Sequence, residues 1–191
     1  MSYSLGAETT QQRDTLYAHM EGPDLHAALE EHHTACFGWA VHCCDGNRNE
    51  AEEVLQVAYL DVLDGRASFA GRSQVRTWLF GIIRNVAANR RRRRKLRAAL
   101  LLRRADEAPQ PRPATGPADD ALERERGDQL RSALEQLPRR QREILVLTFY
   151  EDMTVEAASE VLRISVGSAR THYHRAKKKL RGLLQDETND A

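Results

Sequence analysis

Four prolines, Pro109, Pro111, Pro113 and Pro117, stand between Ala105 and Asp120, with Gly116 among them. Each proline removes a backbone donor and locks φ, so no regular helix runs through this stretch. It cuts the 191-residue chain into two parts, each small for a domain. Small domains bury a smaller share of their surface, so both parts are expected to lean on partners. The chain reads as an N-terminal tail over 1–23, a domain over 24–104, a flexible linker over 105–126, a second domain over 127–185 and a tail over 186–191.

Both domains are expected to be helical, and the fold class all-α. Apolar residues recur at three- and four-residue steps, and no segment sustains the alternation of a strand. Asp24 is a reasonable cap for a first helix in which Leu25, Leu29, His32 or His33, Cys36, Ala40 and Cys43 recur at helical spacing. Asp45-Gly46-Asn47 ends it. Asn47 with Glu50 resembles a capping box and opens a second helix with Val54, Leu55, Ala58, Tyr59, Val62 and Leu63. After a polar loop, Arg66 to Arg76, a third helix is expected from Thr77, carrying Trp78, Leu79, Ile82, Ile83, Val86 and Ala87. Beyond the linker, Leu130, Ala133, Leu134 and Leu137 mark a helix stopped by Pro138, and Gln141 to Tyr150 a second with Ile144, Leu145 and Leu147 buried. Thr154 can cap a short helix to Leu162, and Ser165 a longer one to about Leu184.

The net charge of +1 excludes nothing, but its distribution is informative. Up to Asp64 the only Lys or Arg are Arg13 and Arg48. From Arg84 to Arg104 there is no acid, and Arg90 to Lys95 is an unbroken basic run. From Leu162 to Leu184 every charged residue is again basic. Separated acidic and basic surfaces imply two kinds of partner, a basic protein face and a phosphate backbone.

The last two helices form a helix-turn-helix pattern: a short helix, the connection Arg163-Ile164-Ser165, and a longer basic helix. In that motif the second helix enters the major groove N-terminus first. Gly167 and Ser168 give that end a small profile, and a helix N-terminus favours an anion. Arg170, Thr171, His174 and Arg175 share one face, while Ala169, Tyr173, Ala176 and Leu180 form the opposite stripe. Arginine can bond bidentately to guanine and threonine can meet a base edge. Lys177, Lys178, Lys179 and Arg181 suit phosphates, which position without reading sequence.

Here the residues resemble a known family. Leu137-Pro138-Arg139-Arg140-Gln141-Arg142-Glu143-Ile144-Leu145 is similar to the "LPxxxREVL" opening of the C-terminal domain of extracytoplasmic-function (ECF) sigma factors. Gly167-Ser168-Ala169 and Arg175-Ala176 resemble that domain's Gly-Thr-Val step and Arg-Ala pair. Arg76-Thr77-Trp78-Leu79-Phe80-Gly81-Ile82-Ile83-Arg84-Asn85 is similar to the family's "WLxxIaRN" helix, and Asn49 to Val62 to its acidic polymerase-docking helix. The resemblance implies a sigma factor that binds core RNA polymerase and directs initiation at −35 and −10 promoter elements. Domain 24–104 would be the region 2-like part and 127–185 the region 4-like part. Ser168, Arg170, Thr171, His174, Arg175 and Lys178 would contact the −35 element. Phe69, Trp78, Arg84, Asn85, Asn89 and Arg92 would hold the melted −10 strand. Glu50, Glu52, Glu53, Gln56 and Asp61 would face the polymerase β′ clamp, and the second domain would meet the β flap. An anti-sigma protein is a partner the family often uses.

The chain departs from the family pattern in places. Arg163 stands where the turn usually has Gly, so a left-handed backbone there costs about 1 kcal/mol. Ala157, Ala158 and Ser159 replace "EIA", Ala169 replaces Val, and His172 takes a place often held by Arg.

Plainer readings stand beside these. Trp78 is first a core residue, and the acids of Asn49 to Asp64 could be a solvated face. His32 and Cys36 lie one helical turn apart, a spacing that suits zinc, but cysteine more often packs as a small hydrophobe, and no metal site is expected. Three cysteines, Cys36, Cys43 and Cys44, make a poor disulfide framework, and the N-terminus lacks the pattern of a signal peptide. A cytoplasmic protein without membrane insertion, monomeric when alone, is expected. No phosphate loop, nucleophile elbow or H-E-x-x-H motif is present, so no catalytic residue, cofactor or enzymatic activity is expected. The alternatives are a stand-alone helix-turn-helix regulator, which would dimerise on palindromic DNA, and a module that binds only protein.

Overall fold

The computed structural model describes residues 23–102 and 121–189, which fall into two compact units. Most of the expected linker, 105–126, and both chain ends lie outside the described residues. Among the described residues there are helices and turns but no strands.

Unit 1 is a three-helix packing of α1 (Pro23–Cys43), α2 (Arg48–Leu63) and α3 (Val75–Leu102). α1 starts at Pro23, which puts Asp24 in its first turn rather than at the cap. Proline suits that position because its missing N–H has no helical partner there. Asp45 and Gly46, both at positive φ, reverse the chain, and Asn47 caps α2 by accepting the Glu50 N–H at 3.0 Å. The reciprocal half of the expected capping box is replaced, because the Glu50 carboxylate accepts from Arg94 at 2.7 Å.

The core of unit 1 centres on Trp39, absent from the sequence reading. Its indole is wholly buried, donates to the Phe80 carbonyl at 3.0 Å and stacks on the rings of Phe80 and His42. Leu79, Phe80, Ile83, Val54 and Cys36 surround the same interior. Leu63, expected inside, is 41% exposed. It follows the buried Val62 by one residue, about 100° further round the helix. Tyr59 is half-buried, with its hydroxyl 3.3 Å from His33 Nδ1. Burial and the adjacent Cys36 push its phenol well above the usual range.

Unit 2 begins with α4 (Ala121–Glu135), six residues ahead of the expected start at 127. The proline signal ends at Pro117, and Ala121-Leu122-Glu123-Arg124-Glu125-Arg126 are all strong helix formers. Leu130, expected inside, is 43% exposed, because α4 packs chiefly against the last helix. α5 (Arg139–Leu145) gives way to a π-helical turn, Val146–Tyr150, where one continuous helix was expected. The Thr148 hydroxyl donates to the Ile144 carbonyl at 2.8 Å, and the Glu151 N–H reaches back five residues to Val146 at 3.1 Å. A side-chain hydroxyl competing for a helix carbonyl favours such a widened turn.

α6 (Val155–Leu162) is capped by Thr154, whose hydroxyl accepts the Ala157 N–H at 3.1 Å. Arg163 closes it in the left-handed conformation, φ 52° and ψ 51°. α7 (Val166–Asn189) is capped by Ser165, which accepts the Ser168 N–H at 3.1 Å, and it runs past the expected end at Leu184. Nothing in Gln185-Asp186-Glu187-Thr188-Asn189 breaks a helix as Gly or Pro would. The interior of unit 2 mixes large and small side chains: Leu137, Ile144, Leu145, Leu147, Val161 and Leu162 are buried with Ala133, Ala158, Ser159, Ala169 and Ala176.

Candidate nucleic-acid interface

In unit 2 polar contacts on α5 and at the ends of α6 and α7 accompany the apolar packing that sets the face of α7. Glu143 is buried at 1% exposure and accepts from Arg139 at 2.9 Å, with Arg140 at 3.6 Å. Arg140 also donates to the Leu162 carbonyl at 3.0 Å, satisfying an orphan acceptor at the end of α6. The two caps and the left-handed Arg163 then fix the angle between α6 and α7. Ala169 and Ala176 lie against this frame, which leaves Ser168, Arg170, Thr171, His174, Arg175 and Lys178 exposed along α7. All six residues expected to meet the −35 element are therefore on the surface.

Their local geometry differs. The Thr171 hydroxyl donates to the Gly167 carbonyl at 3.0 Å. The space beside Gly167 is open. Arg170 Nη2 donates to Glu156 Oε1 at 2.8 Å. That bond, with one from its own backbone N–H, holds the Glu156 carboxyl below the usual carboxylate range. His172 faces inward, and its Nδ1 is buried without a hydrogen-bond partner. Phe149 and Tyr150, 63% and 80% exposed, stand on the π-helical turn, with Phe149 stacked on Tyr173. The sequence reading missed this aromatic patch.

In unit 1 the loop and α3 bring Phe69 and Trp78 together, ring centroids 5.2 Å apart and both half-buried. Trp78 is thus a rim residue, neither fully core nor fully exposed. Arg66 in that loop pairs with Asp61 and Asp64. Asn85 is exposed, Arg84 half-buried, and Asn89 accepts from Arg92 at 2.9 Å.

The acidic set is not one face. Glu50 bonds Arg94, Glu53 bonds Arg90, and Asp61 bonds Arg66. Glu52 and Gln56 stand outward. Beside Gln56 runs an unexpected apolar stripe: Val57, Leu60 and Leu63 are 37%, 53% and 41% exposed. Their i, i+3, i+6 spacing is a second apolar stripe visible in the sequence beside the inward one.

None of the three cysteines is in a disulfide, and all are buried. Among the described residues no group of three or more His, Cys, Asp or Glu is placed to hold a metal ion. No described helix is long and apolar enough to cross a membrane.

Residues 28–97 match Sigma-70 region 2, and residues 127–180 match Sigma-70, region 4. The chain is 30% identical over 149 residues to the ECF RNA polymerase sigma factor SigX of Bacillus subtilis (strain 168), covering 75% of this chain and 77% of the relative. It is 32% identical over 146 residues to the ECF RNA polymerase sigma factor EcfG of Rhodopseudomonas palustris (strain TIE-1), covering 73% and 74%. The chain belongs to the ECF RNA polymerase sigma factors. As such it binds core RNA polymerase and promoter DNA and directs promoter-specific transcription, which sets aside the stand-alone regulator. The fold of this sigma factor is also that of solved structures. The sigma factor RpoE, solved with the anti-sigma factor NepR from Bartonella quintana, aligns with a TM-score of 0.66 at 22% identity, over 86% of this chain and 98% of that one. CnrH, solved in complex with the cytosolic domain of CnrY, aligns with a TM-score of 0.61 at 20% identity, over 93% and 97%.

Proposed function

We propose that the two units divide promoter recognition between them. Unit 2 reads the −35 element with Ser168, Arg170, Thr171, His174, Arg175 and Lys178. Unit 1 holds the melted −10 strand with Phe69, Trp78, Arg84, Asn85, Asn89 and Arg92. The observation that carries the reading is the exposed row on α7, set outward by a buried alanine stripe and two capped turns. For unit 1 the support is the Phe69–Trp78 pair, a partly open aromatic surface beside a basic helix. Such a surface offsets the few kcal/mol, roughly, of unstacking a base.

Docking on the β′ clamp uses Glu52 and Gln56 with the stripe Val57, Leu60 and Leu63. The exposed Phe149 and Tyr150 suit the β flap. Anti-sigma control is part of the proposal, because both aligned solved structures are complexes with a second protein, one named an anti-sigma factor. The protein works beside polymerase in the cytoplasm and catalyses no reaction of its own.

Run-off transcription with core polymerase tests this. Replacing Arg170 and Arg175 by alanine is expected to lower initiation at the cognate promoter by about tenfold or more per lost bidentate contact. The same change should flatten the salt dependence of binding. Unchanged transcription and salt dependence in the double variant would overturn the assignment.

A further inference from the structure

The helices of the helix-turn-helix are tied together outside their shared core. Glu156 sits in the first turn of α6, and Arg170 in the second turn of α7, fourteen residues on. The carboxylate is held from its own side. It lies at a helix N-terminus, where negative charge is favoured, and accepts its own backbone N–H. At 2.8 Å from Arg170 Nη2, the carboxylate already holds the guanidinium before any DNA arrives.

Arg170 needs such an anchor. Its side chain is 64% exposed and rooted on a helix that presents only small neighbours, Gly167 and Ser168, toward the same end. An unrestrained arginine loses its rotamer freedom on reaching a base, and every nearby phosphate competes for it. Glu156 alters both. One Nη2 hydrogen goes to Oε1, while the second, with those on Nη1, stays available as a fork for a paired acceptor. Guanine, with O6 and N7 side by side in the major groove, is the base with that pattern. The carboxylate also repels backbone phosphates, so Arg170 is disfavoured where no matching base offsets that repulsion. Exposed ion pairs add little to stability, so the bond can be removed without loss of fold.

We propose that Glu156 is a specificity-determining positioning residue: it holds Arg170 for one guanine-containing base pair of the upstream promoter element and withholds it from phosphates. This rests on the reading of α7 as the helix that meets the −35 element, and the test separates the two.

The full chain, its Glu156→Ala and Glu156→Gln variants and Arg170→Ala are each combined with core polymerase. Transcription is then scored on promoters randomised across the upstream element. Both Glu156 variants are expected to flatten preference at the same single base pair that Arg170→Ala flattens, by about five- to tenfold. Glu156→Gln should have the smaller effect, because its amide oxygen still accepts. Binding to unrelated DNA should rise in both, with a steeper salt dependence. If Arg170→Ala flattens one position and the Glu156 variants change all promoters equally, or none, Glu156 has no positioning role. If Arg170→Ala flattens no position, Arg170 reads no base and the proposal fails, while the Arg170 and Arg175 double variant still decides the reading of α7.

Discussion

In unit 1 the indole of Trp39 fills the interior, stacked on Phe80 and bonded to its carbonyl, with Leu79 and Ile83 beside it. In unit 2 the buried apolar side chains among the described residues are aliphatic, Leu137, Ile144, Leu145, Leu147, Val161 and Leu162 with Ala133, Ala158, Ala169 and Ala176, and none is aromatic. Both tryptophans of the chain lie in unit 1. The two units thus reach stability by different routes. Large apolar burial holds the first. An aliphatic core, joined by two helix caps, a left-handed turn and the buried Glu143, holds the second. Ala158, Ala169 and Ala176 each bury little area, and the caps at Thr154 and Ser165 add to the placement of α6 and α7.

That contrast can be broken, most severely at its centre. Trp39→Ala should cost about 3–5 kcal/mol, unfolding unit 1 while α7 stays helical. Hydrogen exchange resolved by residue checks this, and joint loss of protection in both units would erase the distinction. Next comes Glu143→Ala, which leaves Arg139 and Arg140 without their buried partner. Because both arginines keep some solvent, the expected cost is about 2–3 kcal/mol, below that of a fully buried pair. Denaturant unfolding of unit 2 should show it, and an effect under about 0.5 kcal/mol would mean the aliphatic core suffices alone.

Finer changes sharpen the comparison. Thr154→Ala should lower unit 2 stability by about 1 kcal/mol, the usual value of an N-cap, and leave unit 1 unchanged. Arg163→Gly should raise it by about 0.5–1 kcal/mol, because φ 52° suits glycine. Thermal melts of the paired variants read both signs. The smallest effect is on pH. The Glu156 carboxyl is lowered in the folded chain, so its contribution is present above the ordinary carboxylate range and is lost as pH falls through the lowered value. The difference in melting temperature between wild type and Glu156→Gln should therefore vanish on acidification.

Much of this was legible from residues alone because its causes are local. Prolines 109 to 117, the caps Asn47, Thr154 and Ser165, and the misfit of Arg163 each act within a turn of helix. So does the helical period that puts Arg170, Thr171, His174 and Arg175 on one side. The family motifs were legible for the same reason: each lies in one short run of sequence.

What tertiary structure decided was pairing across distance. Glu50 and Glu53 pair with Arg94 and Arg90, 44 and 37 residues away, whereas Glu52 stands outward. Trp39 finds its carbonyl partner 41 residues on, while Leu63 turns to solvent. Glu156 finds Arg170 only once the turn has folded α7 against α6. Sequence periodicity says that a helix has two faces. Which of them is covered, and by which charge, depends on neighbours that only the packed chain supplies.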